Sequence, residues 1–79
     1  MALITEFTEL HKERNQVHSV VDCGYSIFEV GGARYLQLDT FGSAERQIPG
    51  KTSQSIQLNE GSAAQLRRLI ERAFPSVGS

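Results

Sequence analysis

Leu3, Ile4, Phe7 and Leu10 recur at helical spacing, with Glu6, Glu9, Lys12 and Glu13 on the polar side. This pattern predicts a short amphipathic helix over residues 3–14. From Val17 the period falls to two. Val17, Ser19, Val21 and Cys23 alternate with His18, Val20 and Asp22, and residues 25–30 continue in the same style. β-Branched and aromatic side chains dominate this run, as strands prefer. Gly24 inside it reads as a bulge or a change of face. Gly31-Gly32 supplies the positive φ that a tight hairpin turn needs. Residues 34–39 form the cleanest alternation, with Leu36 and Leu38 on one side and Tyr35 and Gln37 on the other.

Residues 40–50 are rich in turn formers and end in Pro49-Gly50, a type II turn signature. Strand alternation resumes over residues 51–58. Asn59 then caps a helix whose apolar stripe is Ala63, Leu66, Leu69, Ile70 and Phe74 and whose wet side carries Arg67, Arg68 and Arg72. Pro75 closes it, leaving a short tail over 75–79. The expected architecture is α+β, one domain over 1–79. A curved antiparallel sheet of three to four strands spans residues 17–58, with the C-terminal helix at 59–74 on one face and a helical segment within 1–15. Phe28, Val30, Leu36, Leu38, Ile56 and Leu58 are expected to meet that helix. Tyr25, Ile27, Tyr35, Gln37, Ser55 and Gln57 are expected on the opposite face.

With 79 residues and one cysteine, the chain has a small core and no internal disulfide to reinforce it. A second copy is the remaining means of stabilisation, so a homodimer is expected. Net charge is −1, with −2 over residues 1–22, zero over 23–58 and +1 over 59–79. No polybasic tail draws the chain to nucleic acid or membrane. No apolar run approaches a membrane span, and no secretory pattern opens the chain, so the cytoplasm is the expected compartment.

Candidate chemistry is sparse. His11, His18 and Cys23 lack the paired short spacing of a structural zinc site, so neither metal nor cofactor is expected. Cys23 and His18, five apart on one strand, would project to opposite faces and make no nucleophile–base pair. Cys23 therefore reads as a small core filler. Asp39, Glu45 and Lys51 lack the acid-x-lysine step of a metal-dependent nuclease. These readings and the chain's size argue against an enzyme. What remains is the face with Tyr25, Tyr35, Gln37, Ser55 and Gln57, bordered by Arg34, Arg46 and Lys51. Aromatic rings stack on unpaired bases, amides and hydroxyls bond base edges, and edge cations meet phosphates. Tyr25, Ile27 and Tyr35 equally suit a dimer interface, and the two uses are compatible.

Residues 35–43, Gly50-Lys51, residues 53–59 and the Leu66-Arg-Arg-Leu-Ile70 helix together resemble the single-stranded-DNA-binding core of the transcriptional positive cofactor four family. The shared pattern is an alternating strand, a long loop, and Gly-Lys leading into Ser-Ile-x-Leu-Asn before the closing helix. The resemblance covers about residues 24–74. It implies a curved antiparallel sheet followed by a helix, a homodimer, and single-stranded nucleic acid as ligand. Gln54 stands where that family would carry a lysine, and the helix has no tryptophan. The Leu-Gln-Leu-Asp-Thr-Phe-Gly-Ser element also resembles short bacterial proteins, some labelled methionyl-tRNA formyltransferase, but no Asn/His/Asp catalytic cluster accompanies it here. The expectation is a non-enzymatic binder of single-stranded DNA or RNA, with weak to moderate, salt-sensitive affinity. The alternative is a protein-interaction or regulatory accessory subunit of a bacterial complex.

Overall fold

The computed structural model describes residues 1–41 and 52–78. Four strands and one helix follow in order: β1 (Ala2–Ile4), β2 (Asp22–Val30), β3 (Ala33–Phe41), β4 (Gln54–Leu58) and α1 (Glu60–Ala73). The strands form one mixed sheet in the order β1-β4-β3-β2. The β2, β3 and β4 pairings are antiparallel, as expected, whereas β1 adds to β4 in parallel. The α+β class holds. The sheet is not wholly antiparallel, and the N-terminal helix is absent.

The N-terminal difference has a physical cause. A single helix of about twelve residues is marginal on its own and needs a face to pack against. Ala2–Ile4 instead takes the open edge of β4, placing Ala2 beside Ile56 and Ile4 beside Leu58. The Phe7 N–H then donates to the Gln65 side-chain carbonyl at 2.9 Å, and the Gln65 amide donates back to the Phe7 carbonyl at 2.8 Å. This two-point clamp holds residue 7 against the helix. The alternation expected from Val17 also starts late, since β2 begins at Asp22 and residues 17–21 lie outside any strand.

The hairpin turn is as read. Gly31 and Gly32 have φ of 59° and 83°, the two positive values a type I′ turn requires. No bulge forms at Gly24, which pairs in continuous register with Asp39. A Cβ at Gly24 would lie 3.4 Å from the Phe41 ring, which places that ring against the strand at this position.

The α1 N-terminus forms a capping box. The Ser62 N–H donates to Asn59 Oδ1 at 2.9 Å, and the Asn59 N–H donates to Ser62 Oγ at 3.0 Å. Glu60 in the first turn and Arg72 in the last complement the helix dipole. The Phe74 N–H closes the helix on the Ile70 carbonyl. Leu58, 2% exposed, is the one fully buried hydrophobic side chain among the described residues. It shares a groove with Leu36 from the sheet and Ala63, Leu66 and Ile70 from α1.

Candidate nucleic-acid interface

Residues paired across antiparallel strands share a face. The pairs Ile27–Leu36, Tyr25–Leu38, Leu36–Leu58 and Leu38–Ile56 therefore define the side turned to α1. Phe28–Tyr35, Ser26–Gln37, Gln37–Gln57, Gly24–Asp39 and Asp39–Ser55 define the other. The expected faces were crossed on β2. Phe28 and Val30 leave the helix side, and Tyr25 and Ile27 join it. A strand's period of two means that one step of parity moves every side chain across the sheet.

The face turned from α1 holds two features, built from half-buried side chains and the buried Ser55. Phe28 and Tyr35 stack, with ring centroids 5.5 Å apart and planes 26° from parallel. Beside them runs a polar ladder across β3 and β4. Gln57 Nε2 donates to Gln37 Oε1 at 2.9 Å. Gln37 Nε2 donates in turn to both Asp39 carboxylate oxygens, at 3.1 and 3.2 Å. Ser55 Oγ donates to Asp39 Oδ1 at 2.6 Å from a buried position. The ladder fixes both amides: Gln37 can accept from Gln57 and donate to Asp39 in only one orientation. The Asp39 carboxylate accepts three bonds of roughly four it can take. The outer edges of the ladder thus present oriented acceptors and amide hydrogens, the groups that read base edges.

Of the residues expected at the site, the structure brings together Tyr35, Gln37, Ser55 and Gln57. Tyr25, 73% exposed, and Arg34 stand on the helix side instead. Arg46 and Lys51 lie outside the described residues, as does Glu45. Phe28 and Asp39 were not expected in this site. Both could have been found from the Gly31-Gly32 turn. A two-residue loop places Val30 opposite Ala33, and counting back places Phe28 opposite Tyr35 and Gly24 opposite Asp39.

Cys23 is exposed, and its thiol donates weakly to the neighbouring Gly24 carbonyl at 3.4 Å, so it is not a core filler. Among the described residues, no three of His, Cys, Asp and Glu gather as a metal site, and no helix is long and apolar enough to cross a membrane. Comparison with protein-family models, with curated proteins and with solved structures finds no match to this chain.

Proposed function

We propose that the chain binds single-stranded DNA or RNA on the sheet face turned from α1, as a homodimer and without catalysing a reaction. The observation that carries this reading is the Phe28–Tyr35 stack set directly beside the Gln57–Gln37–Asp39 ladder. Bases stack on such rings with little regard for sequence, and the adjacent amides and carboxylate supply hydrogen bonds to exposed base edges. Asp39 turns the ladder away from phosphates and toward amino and imino donors of bases. Backbone contacts must come from elsewhere: Arg34 is adjacent to Tyr35 but stands on the helix side, which leaves Arg46 and Lys51 in the segment between β3 and β4.

Fluorescence anisotropy with a labelled single-stranded oligonucleotide at low and high salt tests the proposal. Binding at low salt that weakens as salt rises is expected, with a shallow slope because few phosphates are neutralised. Tyr35→Ala should cost about 1–3 kcal/mol of binding, the usual contribution of one stacked base. Absence of binding at low salt refutes the reading, as does a Tyr35→Ala protein that binds like the parent.

A protein-interaction module is the second reading, favoured by the exposed Leu10, Val17 and Val20 along the N-terminal segment. Replacing Val17 and Val20 by Ser leaves oligonucleotide binding unchanged under the first reading. Under the second, the parent shows no oligonucleotide affinity to lose.

A further inference from the structure

β2 is the outermost strand of the sheet, and among the described residues no strand pairs with its outer side. An edge of nine residues is long, and natural edges are usually protected by Pro, Lys or a bulge. β2 reads Asp-Cys-Gly-Tyr-Ser-Ile-Phe-Glu-Val, with none of these and with its charges, Asp22 and Glu29, confined to its ends. The opposite edge, β1, has three residues and is blunted by shortness alone.

The surface area points the same way. A folded monomer of 8.7 kDa exposes roughly 4,700 Å², whereas this chain exposes 6954 Å². Much of the excess lies on residues 8–21, exposed throughout and outside any helix or strand, and part of it on the β2 edge. The radius of gyration, 14.8 Å, likewise exceeds the roughly 12 Å of a compact chain this long. Tyr25 and Ile27, 59% exposed, form part of the uncovered surface along the β2 edge.

Strand parity fixes which groups face outward. The Thr40 carbonyl accepts from the Ser53 N–H at 2.7 Å, so Thr40 and its alternates on β3 direct their backbone groups at β4. Their β2 partners, Cys23, Tyr25, Ile27 and Glu29, therefore point N–H and C=O away from the sheet. These four positions are symmetric about Ser26, the midpoint of the strand. We infer that two copies of the chain join by antiparallel pairing of β2 with β2 about Ser26, giving one continuous eight-stranded sheet. The inference rests on the homodimer of the proposed function and names its seam.

This register satisfies every outward backbone group of β2, and a shift of two residues leaves one of the four unpaired. Tyr25 falls opposite the partner's Ile27, an aromatic–β-branched pair on the helix side. Glu29 falls opposite the partner's Cys23, and Asp22 opposite the partner's Val30, so no like charges meet. On the face turned from α1, Phe28 falls opposite the partner's Gly24, next to the partner's Phe41 ring. The stacking platform of each copy is thereby continued by an aromatic ring of the other.

Cysteine cross-linking tests the seam. At a two-fold centre the two Ser26 residues form a non-hydrogen-bonded pair, with Cα atoms about 4.5 Å apart, within disulfide reach. Ser26→Cys in a Cys23→Ser background should yield covalent dimer under mild oxidation. Arg68→Cys in the same background, on the exposed side of α1, should not. Native mass spectrometry of the parent chain at micromolar concentration should show a dimer, and Ile27→Lys should shift it to monomer with its helical circular dichroism unchanged. A dimer that cross-links through Arg68→Cys but not through Ser26→Cys overturns the β2 seam and leaves the homodimer reading standing. A dimer that survives Ile27→Lys does the same. A parent chain that is monomeric overturns the homodimer itself, and this inference with it.

Discussion

The β4–α1 unit and the β2–β3 hairpin are built on opposite plans. In β4–α1 the contacts are close in sequence and inward: Leu58 and Ser62 are buried, and Asn59 between them caps the helix through two reciprocal hydrogen bonds. The hairpin is longer and better paired along its backbone, yet Tyr25, Ile27 and Val30 are all exposed. Backbone pairing alone thus specifies the hairpin's shape without giving it a core. The first unit holds the buried side chains Leu58 and Ser62, and the second leaves most of its β2 side chains exposed.

Leu58→Ala should do the most damage to this division. It empties the centre of the groove shared by Leu36, Ala63 and Leu66, and an unfolding midpoint measured in urea should drop by the equivalent of about 2–5 kcal/mol. Gly32→Val attacks the hairpin at its turn, where φ is 83°, and should cost about 1–2 kcal/mol, with loss of β2–β3 cross-strand contacts seen by NMR. Asn59→Ala removes the acceptor of the Ser62 N–H and should cost about 1 kcal/mol, read as reduced helical ellipticity and a lower Tm. Tyr25→Ser, made in the Ile27→Lys background so that the outer edge is already blocked, should change stability by no more than about 0.5 kcal/mol. A larger loss there would mean that the hairpin surface contributes to the core of its own chain.

Much of the architecture was legible because its signals are local. Asn59 before an apolar stripe and Pro75 after it bracket a helix that runs Glu60–Ala73, and Gly31-Gly32 marks the turn. The N-terminal segment was misread because Leu3, Ile4, Phe7 and Leu10 satisfy a helical period equally well. The competing partner, the free edge of β4, lies some fifty residues further along the chain. The site was half legible. Tyr25 and Ile27 have one parity and Phe28 and Val30 the other, and all four are apolar, so composition cannot choose the inner side. The turn length decides it, and it couples Phe28 to Tyr35 and Gly24 to Asp39 only when register is counted residue by residue.

The parallel strand β1 has a consequence for the order of folding. Ala2–Ile4 is made well before its partner Ile56–Leu58, and the loop between them encloses the entire hairpin. Closing a loop of that length costs only modestly more than closing a short one, since the penalty rises with the logarithm of length. The delay is nevertheless unavoidable during synthesis. β1 has no docking edge until β4, some fifty residues later, has emerged, so this side of the sheet can be completed only after the hairpin has been made.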